Sequence, residues 1–244
     1  MSTLALLVCI VALAFAVEGA LGFGSTVVTV TLGAFLVPID MLLPAYVPAN
    51  IVLSVSIVAR TYRDVDARML FRRVVPLMVL GMPFGMLALR VLDGAVLVRV
   101  YGVMIVVLAI IELAARLPSP SRALGNALLF AAGTVQGAFG TGGPLTVFVL
   151  GKELTERPDA AAGKRAFRAT LCLLWLILNV VLVIGFAIDG RLTAESGRTT
   201  LWLVVGLAFG IVVGELVHRR LAPERFRVVV WGMLALAGTA LALR

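Results

Sequence analysis

Two glycine-rich segments of similar sequence contain the residues whose types and spacing could bind a small anion. The first segment is Glu18-Gly19-Ala20-Leu21-Gly22-Phe23-Gly24, and the second is Gln136-Gly137-Ala138-Phe139-Gly140-Thr141-Gly142. Both lie inside apolar stretches, where backbone without helical hydrogen bonds is tolerated only if it is buried in protein or lines a wet cavity. A short helix that starts after such a break directs free N–H groups and the positive end of its dipole at that cavity. The two segments therefore predict an anion site near the middle of a membrane.

Small and hydroxylated residues follow the segments and complete the predicted site. Ser25 and Thr26 are expected to cap one short helix and to donate hydroxyls, and Pro144 suits the first turn of the other helix, where its missing N–H is not needed. We expect the two helix N-termini to face each other and to hold the anion between them. The predicted substrate-binding residues are Gly22, Phe23, Gly24, Ser25, Thr26, Asn50, Gly140, Thr141, Gly142, Gly143 and Arg168. The alternative is that the glycines only let helices pack closely, because both segments contain two glycines three residues apart.

Glu18 and Gln136 occupy equivalent positions just before the two breaks. A carboxylate within a membrane span is costly, which marks Glu18 as a functional candidate that could carry a coupling proton. Gln136 indicates that the same position also works without a charge. An equally supported interpretation is that both side chains brace the broken hairpins through hydrogen bonds.

Three further polar residues lie in or next to apolar stretches. Arg168 starts the helix after the second break, and the register of the repeat places Asn50 opposite it in the first half. Arg168 could attract an anion from the cytoplasm. It could equally be one more basic residue that fixes the topology. Asn179 lies in the middle of an apolar stretch, where it is expected to bridge helices.

The sequence offers little support for an enzyme or for a nucleic-acid-binding protein. It contains no metal-ligand cluster, catalytic triad or P-loop, and the single histidine, His218, cannot build a haem or zinc site. No cofactor is expected. The net charge of +8 does not indicate nucleic acid, because the basic residues collect at helix ends rather than on one face. Cys9 and Cys172 both lie in apolar stretches and are expected to be free thiols.

The elements that must position these residues are membrane-spanning helices. Hydrophobic residues make up 61% of the 244 residues, and the mean hydropathy is +1.11. A soluble domain of this length has too little interior to bury so much apolar surface. Apolar runs of the length that crosses a bilayer recur throughout the chain, at 4–21, 42–59, 74–89, 97–115, 123–139, 169–188, 199–217 and 228–243.

Lysine and arginine mark the loops that we assign to the cytoplasmic side. They crowd the stretches 60–73, 152–168 and 219–227 and flank the central linker, whereas the loop at 38–43 and the N-terminus carry none. The stretch from 122 to 152 therefore starts and ends inside, yet it is too short for two full spans of about 20 residues each. One full helix and one short helix would fit there, and so would two half-helices. The same reasoning makes 4–37 enter from outside and return outside.

Each half of the chain is thus predicted to be a glycine-broken helical hairpin followed by three transmembrane helices. Three crossings after each hairpin invert the second half relative to the first. We expect an all-α polytopic membrane protein with two inverted repeats, at 1–116 and 123–244, joined by a proline- and serine-rich linker at 117–122. The repeat extends beyond the hairpins, because Gly81-Met82-Pro83-Phe84-Gly85 is similar to Gly206-Leu207-Ala208-Phe209-Gly210.

In the two glycine-rich segments and in Arg168-Ala169-Thr170, the chain resembles the sulfite exporter TauE/SafE family of membrane transporters. The resemblance covers essentially the whole chain through its two-half layout. It implies a multi-pass permease of the bacterial inner membrane that exports small sulfur-containing anions, such as sulfite or organosulfonates. The expected partners are this anion and the lipid bilayer, with no nucleic acid, and assembly as a homodimer stays open. Both termini are predicted to lie outside the cytoplasm, and an anion channel of the same fold is the alternative to a carrier.

Overall fold

The computed structural model describes residues 3–21, 24–114, 120–155, 160–218 and 223–243. These residues are almost entirely helical, and they contain no strand. The helices are α1 (Thr3–Leu21), α2 (Ser25–Gly33), α3 (Ile39–Thr61), α4 (Ala67–Met69), α5 (Val75–Val91), α6 (Gly94–Ala114), α7 (Arg122–Phe139), α8 (Gly143–Thr155), α9 (Ala160–Ile188), α10 (Ala194–His218) and α11 (Pro223–Ala242). A 3₁₀ turn at Tyr62–Asp64 follows α3, and a π-helical turn at Leu70–Val74 joins α4 to α5.

Five of the described helical segments are long and apolar enough to cross a membrane. They are Ile39–Asp64, Ala67–Val91, Gly94–Ile111, Arg165–Ile188 and Ala194–Val213. Two shorter apolar segments, Thr3–Glu18 and Trp231–Ala242, accompany them. The predicted all-α polytopic membrane fold is therefore confirmed, whereas the inversion of the second repeat stays a prediction.

Both predicted breaks are present in the helices. α1 has 19 residues and α2 only 9, while α7 has 18 residues and α8 has 13. At 1.5 Å per residue, α2 is about 14 Å long and α8 about 20 Å, so neither spans a hydrocarbon core of about 30 Å. Of the two arrangements that the sequence allowed, each hairpin thus adopts the one with a longer helix and a short one.

The helices divide into two compact units. Unit one comprises Met1–Tyr46, Val91–Leu117 and Arg191–Arg244, and unit two comprises Val47–Arg90 and Pro118–Gly190. Unit one thus holds the first hairpin with α6, α10 and α11, and unit two holds the second hairpin with α5 and α9. The division passes through α3 after Tyr46. Each unit therefore draws helices from both halves of the chain, whereas the predicted repeats at 1–116 and 123–244 follow chain order and stay a prediction.

Within each unit, the longer helix of the hairpin packs closely on a helix from the other half of the sequence. In unit two, a Cβ atom on Gly85 of α5 would collide with the Thr134 carbonyl of α7. In unit one, a Cβ atom on Gly210 of α10 would collide in the same way with the Ala12 carbonyl of α1. Gly85 and Gly210 are matching positions of the sequence repeat, so the two similar motifs make the same kind of helix contact.

Candidate functional site

The second break is a three-residue interruption between α7 and α8 that buried polar groups hold in place. α7 ends at Phe139, and Gly140 follows in the left-handed region with φ 66°, a conformation that favours glycine. The Gly140 N–H donates to the Gln136 carbonyl at 2.8 Å. The Gly142 N–H donates to Gln136 Oε1 at 2.9 Å, and the Thr146 hydroxyl donates to the Gly142 carbonyl at 2.9 Å. The backbone on both sides of the break is therefore fixed before any ligand binds.

A chain of neutral amides ties this break to two neighbouring helices of unit two. Gln136 Nε2 donates to Asn179 Oδ1 of α9 at 3.1 Å, and Asn179 Nδ2 donates to Asn50 Oδ1 of α3 at 3.0 Å. Ser54 Oγ also donates to Asn50 Oδ1, at 3.4 Å. All four side chains are buried. Because Gln136 and Asn179 each donate one hydrogen bond and accept another, the chain orients Gln136 Oε1 toward the backbone of the break.

Thr141 lies in the middle of the break and has an unsatisfied hydroxyl. The residue is 2% exposed, and its Oγ1 has no hydrogen-bond partner among the residues that the structure describes. Leaving a buried hydroxyl unpaired costs about 1–3 kcal/mol, so such groups are rare. Thr29 Oγ1 and Trp231 Nε1 are the other buried side-chain atoms without a partner among the described residues. A ligand oxygen that accepts from Thr141 would remove this cost.

The start of α8 lies beside an aromatic side chain. A Cβ atom built on Gly143 would have the Trp175 ring as its nearest neighbour, at 3.7 Å, which is ordinary van der Waals contact. Gly142 differs, since a Cβ atom there would lie 2.5 Å from the Ala132 carbonyl oxygen. Gly142 therefore serves close packing, as the alternative interpretation of the glycines proposed, whereas the Gly143 position can accept a methyl group in contact with Trp175.

The first break, in unit one, uses the same kind of brace with a different side chain. Gly24 precedes α2 with φ 105°, and the Ser25 N–H donates to Glu18 Oε2 at 3.2 Å. The Tyr46 hydroxyl donates to Ser25 Oγ at 3.0 Å and lies 3.3 Å from Thr26 Oγ1. Glu18 and Gln136 thus each hold a backbone N–H group at their own break, at positions that differ by one residue in the repeat. A carboxylate oxygen accepts from the backbone at the first break, and an amide oxygen does so at the second.

The structure brings only some of the remaining predicted site residues to the second break. Arg168 is exposed on α9 and lies about 16 Å along the helix axis from Asn179, so the structure does not bring it to the amide chain. Asn50 does belong to that chain. Gly22 and Phe23 lie outside the described residues, and the predicted facing of the two helix N-termini stays a prediction. The described residues of unit one also enclose a cavity of about 390 Å³, which Asp40, Arg191 and Glu195 line together with apolar residues and hydroxyls.

Sequence reasoning missed some of the residues that build the breaks. Asn179 was expected to bridge helices, and the hydrogen bonds confirm that prediction, but its link to Gln136 was not foreseen. Tyr46, Ser54 and Trp175 were not foreseen either. Polar residues in the middle of apolar helices were the available signal for Ser54 and Asn179. No comparable signal exists for Tyr46 and Trp175, because aromatic residues are ordinary in such helices.

Comparison with known proteins identifies one protein family. The family model described as "Sulfite exporter TauE/SafE" matches residues 7–241, which is nearly the whole chain. No curated protein and no solved structure shows a significant match. The described residues contain no group of histidine, cysteine, aspartate or glutamate side chains that could hold a metal ion.

Proposed function

Since this chain belongs to the sulfite exporter TauE/SafE family of membrane transporters, we propose that it is a secondary carrier that exports small sulfur-containing anions from the cytoplasm. The proposed substrates are sulfite and organosulfonates. The proposed location is the bacterial inner membrane, with both termini outside the cytoplasm. The coupling-proton role of Glu18 is not needed for this function.

The observation that carries the proposal is the start of α8. The N–H groups in the first turn of a helix have no partner within the helix and face the positive end of its dipole. Next to this start, the buried Thr141 hydroxyl has no hydrogen-bond partner among the described residues, and a Cβ atom at Gly143 would make ordinary van der Waals contact with Trp175. Unpaired donors at a helix N-terminus favour a bound anion.

The membrane potential is a sufficient driving force for export. Moving one elementary charge across 100 mV is worth about 2.3 kcal/mol. Because about 1.4 kcal/mol corresponds to a factor of ten, a monovalent anion that leaves an inside-negative cell can be concentrated outside by more than tenfold. No coupling ion is required for this. The carrier can therefore work as a potential-driven uniporter.

Flux measurements in proteoliposomes test the proposal. With an imposed potential, we expect saturable flux of sulfite or of a small sulfonate such as methanesulfonate. Flux that rises linearly with concentration would favour the channel alternative. Transport of cations or neutral solutes, without any flux of sulfur anions, would overturn the proposed function.

A pair of variants in one helix tests the location of the site. Gly143→Ala adds a methyl group that fits beside Trp175, so it should leave folding intact but obstruct the start of α8. Gly151→Ala is the matched control, because a Cβ atom there meets nothing within 4 Å in the same helix. We expect about tenfold weaker flux for Gly143→Ala and wild-type flux for Gly151→Ala. Equal flux in the two variants would place the anion elsewhere.

A further inference from the structure

Two basic clusters that lie far apart in the sequence meet at one end of unit two. The Asp66 N–H donates to the Thr170 hydroxyl at 2.9 Å, although the two residues are 104 positions apart. Arg165 Nε also lies 4.0 Å from Asp64 Oδ1. The stretch 60–72 and the start of α9 therefore form one surface, which we call the basic surface. Its exposed arginines are Arg60, Arg63, Arg68, Arg72, Arg165 and Arg168.

The basic surface carries more positive charge than its own acidic residues can balance. The stretches 60–72 and 165–170 contain six arginines but only two aspartates. One of these, Asp66, already uses its carboxylate to accept a backbone N–H of α4. Arg68 and Arg72 have no hydrogen-bond or ion-pair partner among the described residues. Because like charges on one surface repel one another, a bound anionic ligand would relieve this repulsion.

The basic surface lies where three candidate membrane spans have their ends. Ile39–Asp64 ends within it, Ala67–Val91 begins within it, and Arg165–Ile188 begins at it. The ends of membrane spans lie at the level of the lipid headgroups, where arginine and aromatic side chains are common. The phosphate groups of the adjoining lipids are therefore within reach of these arginines.

Two exposed aromatic side chains accompany the arginines. Tyr62 is 57% exposed and Phe71 is 53% exposed. The Arg63 guanidinium lies 5.6 Å from the centre of the Tyr62 ring, and its Nε donates to the Tyr62 hydroxyl at 3.1 Å. Aromatic rings at the end of a span favour the boundary between headgroups and acyl chains. Charges next to exposed rings thus suit an amphipathic anion better than a small soluble one.

We propose that the basic surface binds the headgroups of anionic phospholipids in the adjoining leaflet. The alternative is that these arginines only fix the orientation of the chain in the membrane. Orientation requires basic residues on one side, but it requires neither contact between the two clusters nor exposed aromatic rings beside them. Each basic residue near an anionic lipid surface strengthens the attraction to it. The proposal does not depend on which substrate the protein transports.

Thermal unfolding of the full chain in mixed micelles tests the proposal. The protein in an uncharged detergent is titrated with phosphatidylglycerol, or with phosphatidylcholine that has the same acyl chains. We expect phosphatidylglycerol to raise the Tm at a lower mole fraction, because a ligand that binds the native state stabilises it. In the double variant Arg68→Gln/Arg72→Gln, the mole fraction of phosphatidylglycerol that gives half of the shift should rise at least about tenfold.

The matched control is Arg99→Gln/Arg198→Gln. It removes the same charge from two exposed arginines near the opposite ends of the spans, so it should respond to phosphatidylglycerol as the wild type does. Equal loss of the response in both double variants would overturn the proposal, since the attraction would then follow net charge alone. A double variant Arg68→Gln/Arg72→Gln with the wild-type response would overturn it too.

Two further comparisons use only the wild-type protein, so they do not depend on whether a variant folds. Equal responses to the two lipids would contradict the proposal. Inorganic phosphate and glycerol phosphate should not reproduce the shift at concentrations where phosphatidylglycerol does. A shift as large as that of the lipid would assign the basic surface to soluble anions instead. None of these measurements uses transport, so the outcome is separate from that of the proposed function.

Discussion

Thr141 and Gln136 have different hydrogen-bonding states at the second break. Gln136 satisfies a backbone N–H that the break would otherwise leave unpaired, and it is itself satisfied by Asn179. Thr141 keeps an unpaired hydroxyl in a buried position. Gln136 thus stabilises the broken backbone, and the Thr141 hydroxyl is the donor that the proposed anion site requires.

Replacing Thr141 should change stability and binding in opposite directions. Thr141→Val keeps the shape of the side chain and removes the unsatisfied hydroxyl, so the ligand-free protein should be as stable as the wild type or more stable. Anion affinity should fall about fivefold, as expected for one hydrogen bond of about 1 kcal/mol. Thermal unfolding with and without sulfite measures both effects, because a ligand that binds the native state raises its Tm.

Thr141→Ser is the control for this measurement, since it retains the hydroxyl. It should keep most of the stabilisation by sulfite. A ligand-free Thr141→Val protein with a clearly lower Tm than the wild type would show that the hydroxyl has a structural partner. In that case Thr141 would not be the free donor that the anion site needs.

At the scale of helices, glycine lets the hairpins pack against their neighbours in each unit. Gly81 and Gly85 bring the backbone of α5 against α7, and Gly206 and Gly210 bring the backbone of α10 against α1. In lipid, such close contacts supply much of the helix association, because apolar side chains gain little from leaving the equally apolar lipid. The longer helix of each hairpin is thereby anchored, and the short helix after the break starts from a fixed point.

Adding a methyl group at these contacts should destabilise the protein. In Gly85→Ala the new Cβ atom would overlap the Thr134 carbonyl, and in Gly210→Ala it would overlap the Ala12 carbonyl. Overpacking of this kind costs about 1–3 kcal/mol, and a backbone atom cannot move aside as a side chain can. We expect a lower Tm in detergent and a lower yield for both variants.

Gly232→Ala is the matched control, because a Cβ atom at this helical position meets nothing within 4 Å. Alanine is also the better helix former, so this variant should be at least as stable as the wild type. Wild-type Tm values for Gly85→Ala and Gly210→Ala would contradict the close packing of α5 on α7 and of α10 on α1.

The sequence was sufficient to predict these elements but not their contacts. Hydropathy and glycine spacing predicted the helices and the two breaks, because both depend on local composition. The hydrogen bond between Asn179 and Asn50 joins residues 129 positions apart, and it depends on how α3 and α9 are rotated about their axes. The sequence does not specify that rotation without the packing. The position of Trp175 beside Gly143 could not be predicted either, because it also depends on how the helices pack.

At the scale of the whole molecule, the chain crosses repeatedly between two units that each combine helices from both halves. Unit one holds the first hairpin with the last two helices, and unit two holds the second hairpin with α5 and α9. The amide chain of unit two and the Glu18–Ser25 brace of unit one each stay within one unit.

Cysteine labelling of intact cells tests the predicted orientation of the chain in the membrane. Cys9 and Cys172 are free thiols and must first be replaced. Met41 is 67% exposed before the long apolar part of α3, and Asp93 is exposed between α5 and α6. We expect cysteines at Met41 and Asp93 to react with a membrane-impermeant reagent from outside, because few basic residues lie near them.

Cysteines at Ala67 and Asp159 should react only after the membrane is opened, because both lie among the basic clusters assigned to the cytoplasm. Ala67 is exposed and is preferable to Asp66, whose carboxylate accepts from the Met69 N–H. The decisive position is Asp159, which follows the second hairpin. The predicted topology returns that hairpin to its starting side, and α8, with 13 residues, is too short to span the bilayer alone. Labelling of the Asp159 position from outside would make α8 part of a full crossing and would overturn the inverted repeat.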